Sequence, residues 1–135
     1  MASRYLLDTN TASYIIKGNI PAVRHRLVKL PMAQVAISTV TEGELRYGVA
    51  RRPDATHLQT IVGEFLLRLT ILPWDSEAAQ QYGRLRATLE LEGRPMGNLD
   101  MMIGAQALAS DLVLVTDDQV FKRIKKLKIE DWTKA

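Results

Sequence analysis

Four short runs along the chain are apolar almost throughout: Tyr5-Leu6-Leu7, Val35-Ala36-Ile37, Leu69-Thr70-Ile71-Leu72 and Leu112-Val113-Leu114-Val115. Strands buried on both faces, as in parallel sheets, read this way; half-exposed strands alternate. Each run is stopped by polar residues or proline: Asp8, Ser38-Thr39, Pro73 and Thr116. Ile129 marks a short fifth candidate. Helical patterns fill the gaps. Pro21 suits the first turn of one helix. Thr41 with Glu44 three residues later matches a capping box, and Ser38 competes as the start of that helix. Asp54 predicts the cap of a helix running to about Arg68. Asp75 or Ser76 opens a long helix ending near Gly93 and Pro95, and Asn98 opens another from about Leu99 to Ser110. Alternation through short connections predicts an α/β domain with a mostly parallel sheet and right-handed crossovers.

Composition narrows the class. The 135 residues suit one domain, spanning 1–135. The absence of cysteine excludes a disulfide scaffold, thiol chemistry and Cys-ligated metal. Uncharged stretches reach only about ten residues, against about 20 for a membrane span. Asp8 arrives before a signal-peptide apolar region can form, so a soluble cytoplasmic protein without membrane contact is expected. The net charge of +3 permits nucleic-acid binding without demanding it. Its distribution is uneven: Lys122, Arg123, Lys125, Lys126 and Lys128 crowd one stretch, and Arg46, Arg51 and Arg52 another. Each group suits either phosphate contact or a solvated helix face.

The acids point to chemistry. Asp8 ends the first strand, and Asp117 and Asp118 follow the fourth. Open parallel sheets bind ligands at the carboxyl ends of strands, where strand order reverses. Asp8 would serve equally as a helix N-cap. Asp100 stands in the apolar run Leu99-Asp100-Met101-Met102-Ile103, where a carboxylate is costly unless paired or bound to a cation. A helix N-terminus offsets only roughly 0.3–1 kcal/mol of that cost. Glu42 and Glu44 lie on different faces of one helix, and spacing alone does not choose between them. Gathered carboxylates repel until some are protonated or a cation neutralises them. Oxygen ligands without Cys and with few His favour Mg2+ or Mn2+. Such a site suits phosphodiester hydrolysis by activated water. A P-loop, G-x-G-x-x-G and G-x-S-x-G are all absent. His25 and His57 sit in charged helical surroundings and read better as surface residues than as a metal-free nuclease pair. A haloacid-type phosphatase would want aspartate at position 10, which is Asn.

Leu7-Asp8-Thr9-Asn10 resembles the opening motif of PIN-domain ribonucleases, specifically the VapC toxins of bacterial toxin–antitoxin pairs. Ser38 to Gly48, S-T-V-T-E-G-E-L-R-Y-G, is similar to the second motif, whose acid falls on Glu44. Gly97-Asn98-Leu99-Asp100 resembles the third, Leu114-Val115-Thr116-Asp117-Asp118 with Phe121 the fourth, and Ile129-Glu130-Asp131-Trp132 a frequent ending. The resemblance covers nearly the whole chain, in order. It implies a three-layer α/β/α sandwich with a mostly parallel, about five-stranded sheet. It implies a magnesium-dependent endoribonuclease, with Mn2+ as an alternative ion, acting on structured RNA such as tRNA. Asp8 and Asp100 carry over as metal ligands and Glu44 as a third acid. The spacing T-x-D-x-x-F selects Asp118 as the fourth, with Asp117 as its rival. Thr9, Asn10 and Thr116 would orient ligands by hydrogen bonds. Homodimers and a VapB-type antitoxin partner are implied as well.

Two other classes fit parts of the pattern. A metal-binding signalling module of receiver type would need a phospho-acceptor at the end of the third strand, where Asp75 is a late candidate. A non-catalytic RNA-binding protein would keep the fold without turnover. Arg46, Arg84, Arg86 and Lys122 are expected around the rim of the site. Tyr14, Ile15, Ile16, Val23 and Leu27 suit an antitoxin groove, a dimer face or ordinary core.

Overall fold

Five strands form one sheet in the computed structural model, which describes residues 2–134. They are β1 (Tyr5–Leu7), β2 (Val35–Ser38), β3 (Thr70–Leu72), β4 (Val113–Val115) and β5 (Ile129–Glu130), in the order β3-β2-β1-β4-β5. Every pairing is parallel, with Leu7 opposite Ile37 on one side and Val115 on the other. Six helices connect and cover them: α1 (Thr9–Lys17), α2 (Pro21–Leu27), α3 (Thr39–Ala50), α4 (Thr56–Arg68), α5 (Ser76–Leu91) and α6 (Asn98–Ala109).

Successive side chains of a strand point to opposite faces, so one strand feeds two cores. Tyr5, Leu7, Val35, Ile37 and Val115 pack with residues of α1 to α4 and with Trp132. Leu6, Ala36 and Leu114 pack with α5, α6, Phe121 and Ile124 on the other face. This is the three-layer α/β/α sandwich with a parallel five-stranded sheet. Leu6, Leu7, Ile37 and Leu114 are fully buried, each contributing about 1.5–3 kcal/mol of apolar transfer. Gly104 on α6 permits a close approach: a Cβ there would lie 2.5 Å from Ile124 Cδ1.

Local starts choose between the two candidates for α3 and differ from the sequence reading at α4 and α6. Ser38, not Thr41, caps α3, its hydroxyl accepting the Val40 N–H at 3.0 Å. The residue before α4 is Ala55 and makes no side-chain cap; Asp54 instead accepts from Thr56 through its backbone carbonyl. Gly97 precedes α6, which places Asn98 within the helix. Asp75 does cap α5, accepting the Ala78 N–H at 3.0 Å.

Strand order sets the functional edge. β1 connects toward β2 on one side, and β4 connects toward β5 on the other. The order therefore reverses between β1 and β4, and the carboxyl ends of these two strands flank a crevice.

Candidate active site

Asp8 leaves β1 at this crevice and caps α1, its Oδ1 accepting the Thr11 N–H at 2.8 Å. Its Oδ2 accepts from the Thr116 hydroxyl at 2.5 Å, and its own N–H donates to the Val115 carbonyl at 3.0 Å. Asp8 is thus both the helix cap and an acid at the sheet edge, only 3% exposed. Burial pushes its carboxyl above the ordinary aspartate value, against the hydrogen bonds from Thr116 and Thr11, and Asp117 pushes the same way as burial.

The Ser38 cap starts α3 beside β2 and sets the phase of its side chains. Glu44 faces α1 and accepts from the Thr9 hydroxyl at 2.6 Å, while Thr9 also meets the buried Thr41 hydroxyl at 3.2 Å. Glu42 turns to the surface and pairs with Arg46 at 2.8 Å. Asp100 enters from the first turn of α6. Its carboxyl is raised by burial first, then by the carboxylates of Asp118, Glu44 and Asp8, and no hydrogen bond opposes the rise. Asp118 caps the 3-10 turn Gln119–Arg123, Oδ1 accepting the Val120 N–H at 3.0 Å, and its own N–H donates to Thr116 Oγ1 at 3.0 Å. Asp117 turns elsewhere: its Oδ2 accepts from the Tyr14 hydroxyl at 2.9 Å.

Four segments far apart in sequence therefore bring Asp8, Glu44 and Asp118 within electrostatic reach of Asp100. None of the four takes part in an ion pair among the described residues. Nor, among those residues, do any three acids already stand close enough together to grip an ion. The donor set is nonetheless all carboxylate oxygen, and its mutual repulsion has no protein cation to relieve it. That chemistry fits a hard divalent cation, with Asp8 and Asp100 as the residues that would hold it.

Other expectations fall elsewhere. Asn10 is exposed and takes no part in the hydrogen bonds around Asp8, unlike Thr9 and Thr116. Arg86 pairs along its own helix with Glu90, and Arg84 lines a cleft with Asp111 and Lys128 rather than the rim of the acidic crevice. His25 and His57 are exposed on separate helices, α2 and α4. Asp75 follows β3, an edge strand two places from β1, so a receiver-type acceptor there is not gathered with Asp8. Val23 is core, whereas Ile15, Ile16 and Leu27 line a groove of about 330 Å3 with Phe65 and Leu69. Sequence reasoning missed Thr11, Thr41 and the Tyr14 hydroxyl as partners of the acids and of their supports. The close run of hydroxyls in Thr9-Asn10-Thr11 was the available signal.

The model of the PIN domain family matches residues 5–127. The tRNA(fMet)-specific endonuclease VapC of Salmonella typhimurium is 36% identical over 130 residues, covering 96% of this chain and 98% of that protein. Ribonuclease VapC2 of Rickettsia felis is 36% identical over 132 residues, with the same coverage of both. The crystal structure of DNA-bound VapBC from Salmonella typhimurium superposes with a TM-score of 0.90 at 36% identity, covering 96% of this chain and 98% of that one. A parallel sheet with acids at its switch point, a family model matched over most of the length and relatives alike from end to end agree: the chain belongs to the PIN-domain family, among the VapC ribonucleases.

Proposed function

We propose that this chain is a divalent-metal-dependent endoribonuclease toxin that hydrolyses phosphodiester bonds in structured RNA, with tRNA as its substrate class. One observation carries the reading: the Asp100 carboxyl is raised by burial and by three other carboxylates, Asp118, Glu44 and Asp8, with no protein cation among them. A partly buried anionic group of this kind is stabilised by a bound cation.

Asp8 and Asp100 would hold the ion, Mg2+ being preferred and Mn2+ acceptable to the same oxygens. When bound, it supplies the positive charge that eases deprotonation of water near neutral pH and stabilises charge on the scissile phosphate. The protein's own groups do the rest. Thr116 and the Thr11 N–H fix the orientation of the Asp8 carboxylate. Thr9 fixes Glu44. Asp118 commits Oδ1 to the Val120 N–H, which leaves Oδ2 to accept a proton from water. Asp117 spends an oxygen on Tyr14, which favours Asp118 as the fourth acid.

The reading includes one catalytic domain over residues 1–135, working in the cytoplasm and held in check by a VapB-type antitoxin. No helix of the described residues is long and apolar enough to cross a membrane. The groove lined by Ile15, Ile16, Leu27, Phe65 and Leu69 has Arg24 and Arg68 beside it, which suits an amphipathic segment bearing acids. A homodimer belongs to the same reading. The relatives named for tRNA(fMet) and the VapBC complexes support the substrate and the partner.

The test is cleavage of total cellular RNA by the purified chain with and without EDTA, with Mg2+ or Mn2+ added back. Cleavage that EDTA abolishes and either ion restores is expected. Cleavage indifferent to chelation would overturn the metal, and intact RNA that binds equally well with and without Mg2+ would favour a non-catalytic RNA-binding protein.

A further inference from the structure

Outside the acidic crevice, the strongest charge feature lies toward the opposite edge of the sheet. Two adjoining clefts of about 270 and 440 Å3 run between α5, the turn before β4 and the segment from Arg123 to Lys128. Arg84, Lys125 and Lys126 line both. With Arg123 and Lys128 they make five cations facing two carboxylates, Glu92 and Asp111. The cleft therefore carries an excess of three positive charges.

Both carboxylates are already engaged, Glu92 by Lys125 and Asp111 by Lys128, each at 3.2 Å. Arg84 and Lys126 are exposed and have no carboxylate partner among the described residues. Lys126 has φ +70°, in the left-handed region that a lysine adopts only at a cost. Packing explains how it is held there: Ile124 and Leu127 on either side are anchored in the core. The pattern Ile124-Lys125-Lys126-Leu127 thus presents two lysines at the surface between two apolar plugs. No aromatic side chain lines either cleft, so the surface suits phosphate contact rather than base stacking.

We propose that this cleft is a second RNA-contact surface, which grips the sugar–phosphate backbone of a folded RNA while the acidic crevice acts on it. The inference rests on the endoribonuclease reading. Asp111 precedes β4 and Lys128 precedes β5, whereas Thr116 and Asp118 follow β4. A three-residue strand spans about 10 Å, so the length of β4 separates Asp111 and Lys128 from Thr116 and Asp118. An RNA that touches both regions extends past the few nucleotides that the crevice itself holds.

The experiment compares Arg84→Gln/Lys126→Gln with the parent chain, both carrying Asp100→Asn so that RNA stays whole. Binding to bulk tRNA, and to a dinucleotide too short to leave the crevice, is measured across salt concentrations. The double variant is expected to bind tRNA on the order of tenfold more weakly, with the slope of log affinity against log salt reduced by about 2. The dinucleotide should lose far less, and Arg84→Lys/Lys126→Arg should retain affinity for tRNA. Unchanged tRNA affinity and slope would overturn the inference. Cleavage of the same tRNA by the unsubstituted chain runs alongside. Cleavage with unaltered variant affinity sinks the second surface alone. Charge-dependent binding without any cleavage upholds the surface and sinks the endoribonuclease reading.

Discussion

Across 108 positions of sequence, the Thr116 hydroxyl donates to Asp8 Oδ2 at 2.5 Å, and Thr116 Oγ1 in turn accepts the Asp118 N–H at 3.0 Å. One short side chain thereby ties the acid after β1 to the acid after β4. Thr116→Val removes a bond that holds the Asp8 carboxyl down against burial. We expect kcat/KM for RNA to fall about tenfold, equivalent to about 1.4 kcal/mol, with the acid limb of the pH profile moving to higher pH. Thr116→Ser should restore both. A Val variant with wild-type rate and wild-type acid limb would show that the bond serves only the fold.

Asp8→Asn and Asp100→Asn should each reduce RNA cleavage by on the order of a thousandfold or more while keeping the fold. Circular dichroism and a cleavage assay on total RNA check this pair of outcomes. Turnover at the parent rate by either variant would remove that residue from the site.

The same two acids make metal-free stability depend on pH in a definite direction. Burial raises both carboxyls above 3.8, so in the folded state they hold protons more tightly than in the unfolded chain. Their contribution to stability is complete below the ordinary aspartate value and is lost as pH rises through the raised folded-state values. In EDTA at neutral pH, Asp100→Asn should therefore melt a few degrees above the parent chain. Added Mg2+ should raise the melting temperature of the parent and leave Asp8→Asn and Asp100→Asn unmoved. Thermal melts in EDTA and in Mg2+ at several pH values decide it; an Asn variant that responds to Mg2+ like the parent would count against ligation by that residue.

Asp117 and Asp118 are neighbours with different occupations, one bonded to Tyr14 and the other beside Asp100. Asp118→Asn should cost on the order of a hundredfold in kcat, and Asp117→Asn about tenfold or less. The reverse order in a single-turnover assay would make Asp117 the fourth acid.

Two glycines should respond oppositely to alanine. Gly104→Ala places a methyl group against Ile124 in a filled core and should destabilise by about 1–3 kcal/mol. Gly83→Ala lies in the exposed interior of α5 with open space around the new carbon and should stabilise by roughly 0.5–1 kcal/mol. Urea denaturation of both variants reads the signs directly.

Features that depend on near neighbours along the chain are legible from residue pattern. Continuous apolar runs mark β1 and β2, buried at every position, because strands covered on both faces have no polar side to show; the edge strand β3 is half-exposed and starts on Thr70. Asp75 is legible as a cap because its partner, the Ala78 N–H, is three residues away. Local pattern left Ser38 and Thr41 open as rival caps, and it misplaced the helix starts that have no side-chain cap, at Ala55 and Gly97. The tertiary structure alone decided which acids share a space. Glu44 is distinguished from Glu42 only by the phase of α3 against Thr9, and Asp118 from Asp117 only by where Tyr14 and Asp100 stand. Arg84, expected beside the acids, lies with Lys126 and Lys128 because α5 packs toward the other edge of the sheet. Patterns record how each residue relates to solvent, whereas a site is made by side chains meeting across crossovers, and that meeting is set by strand order and helix rotation.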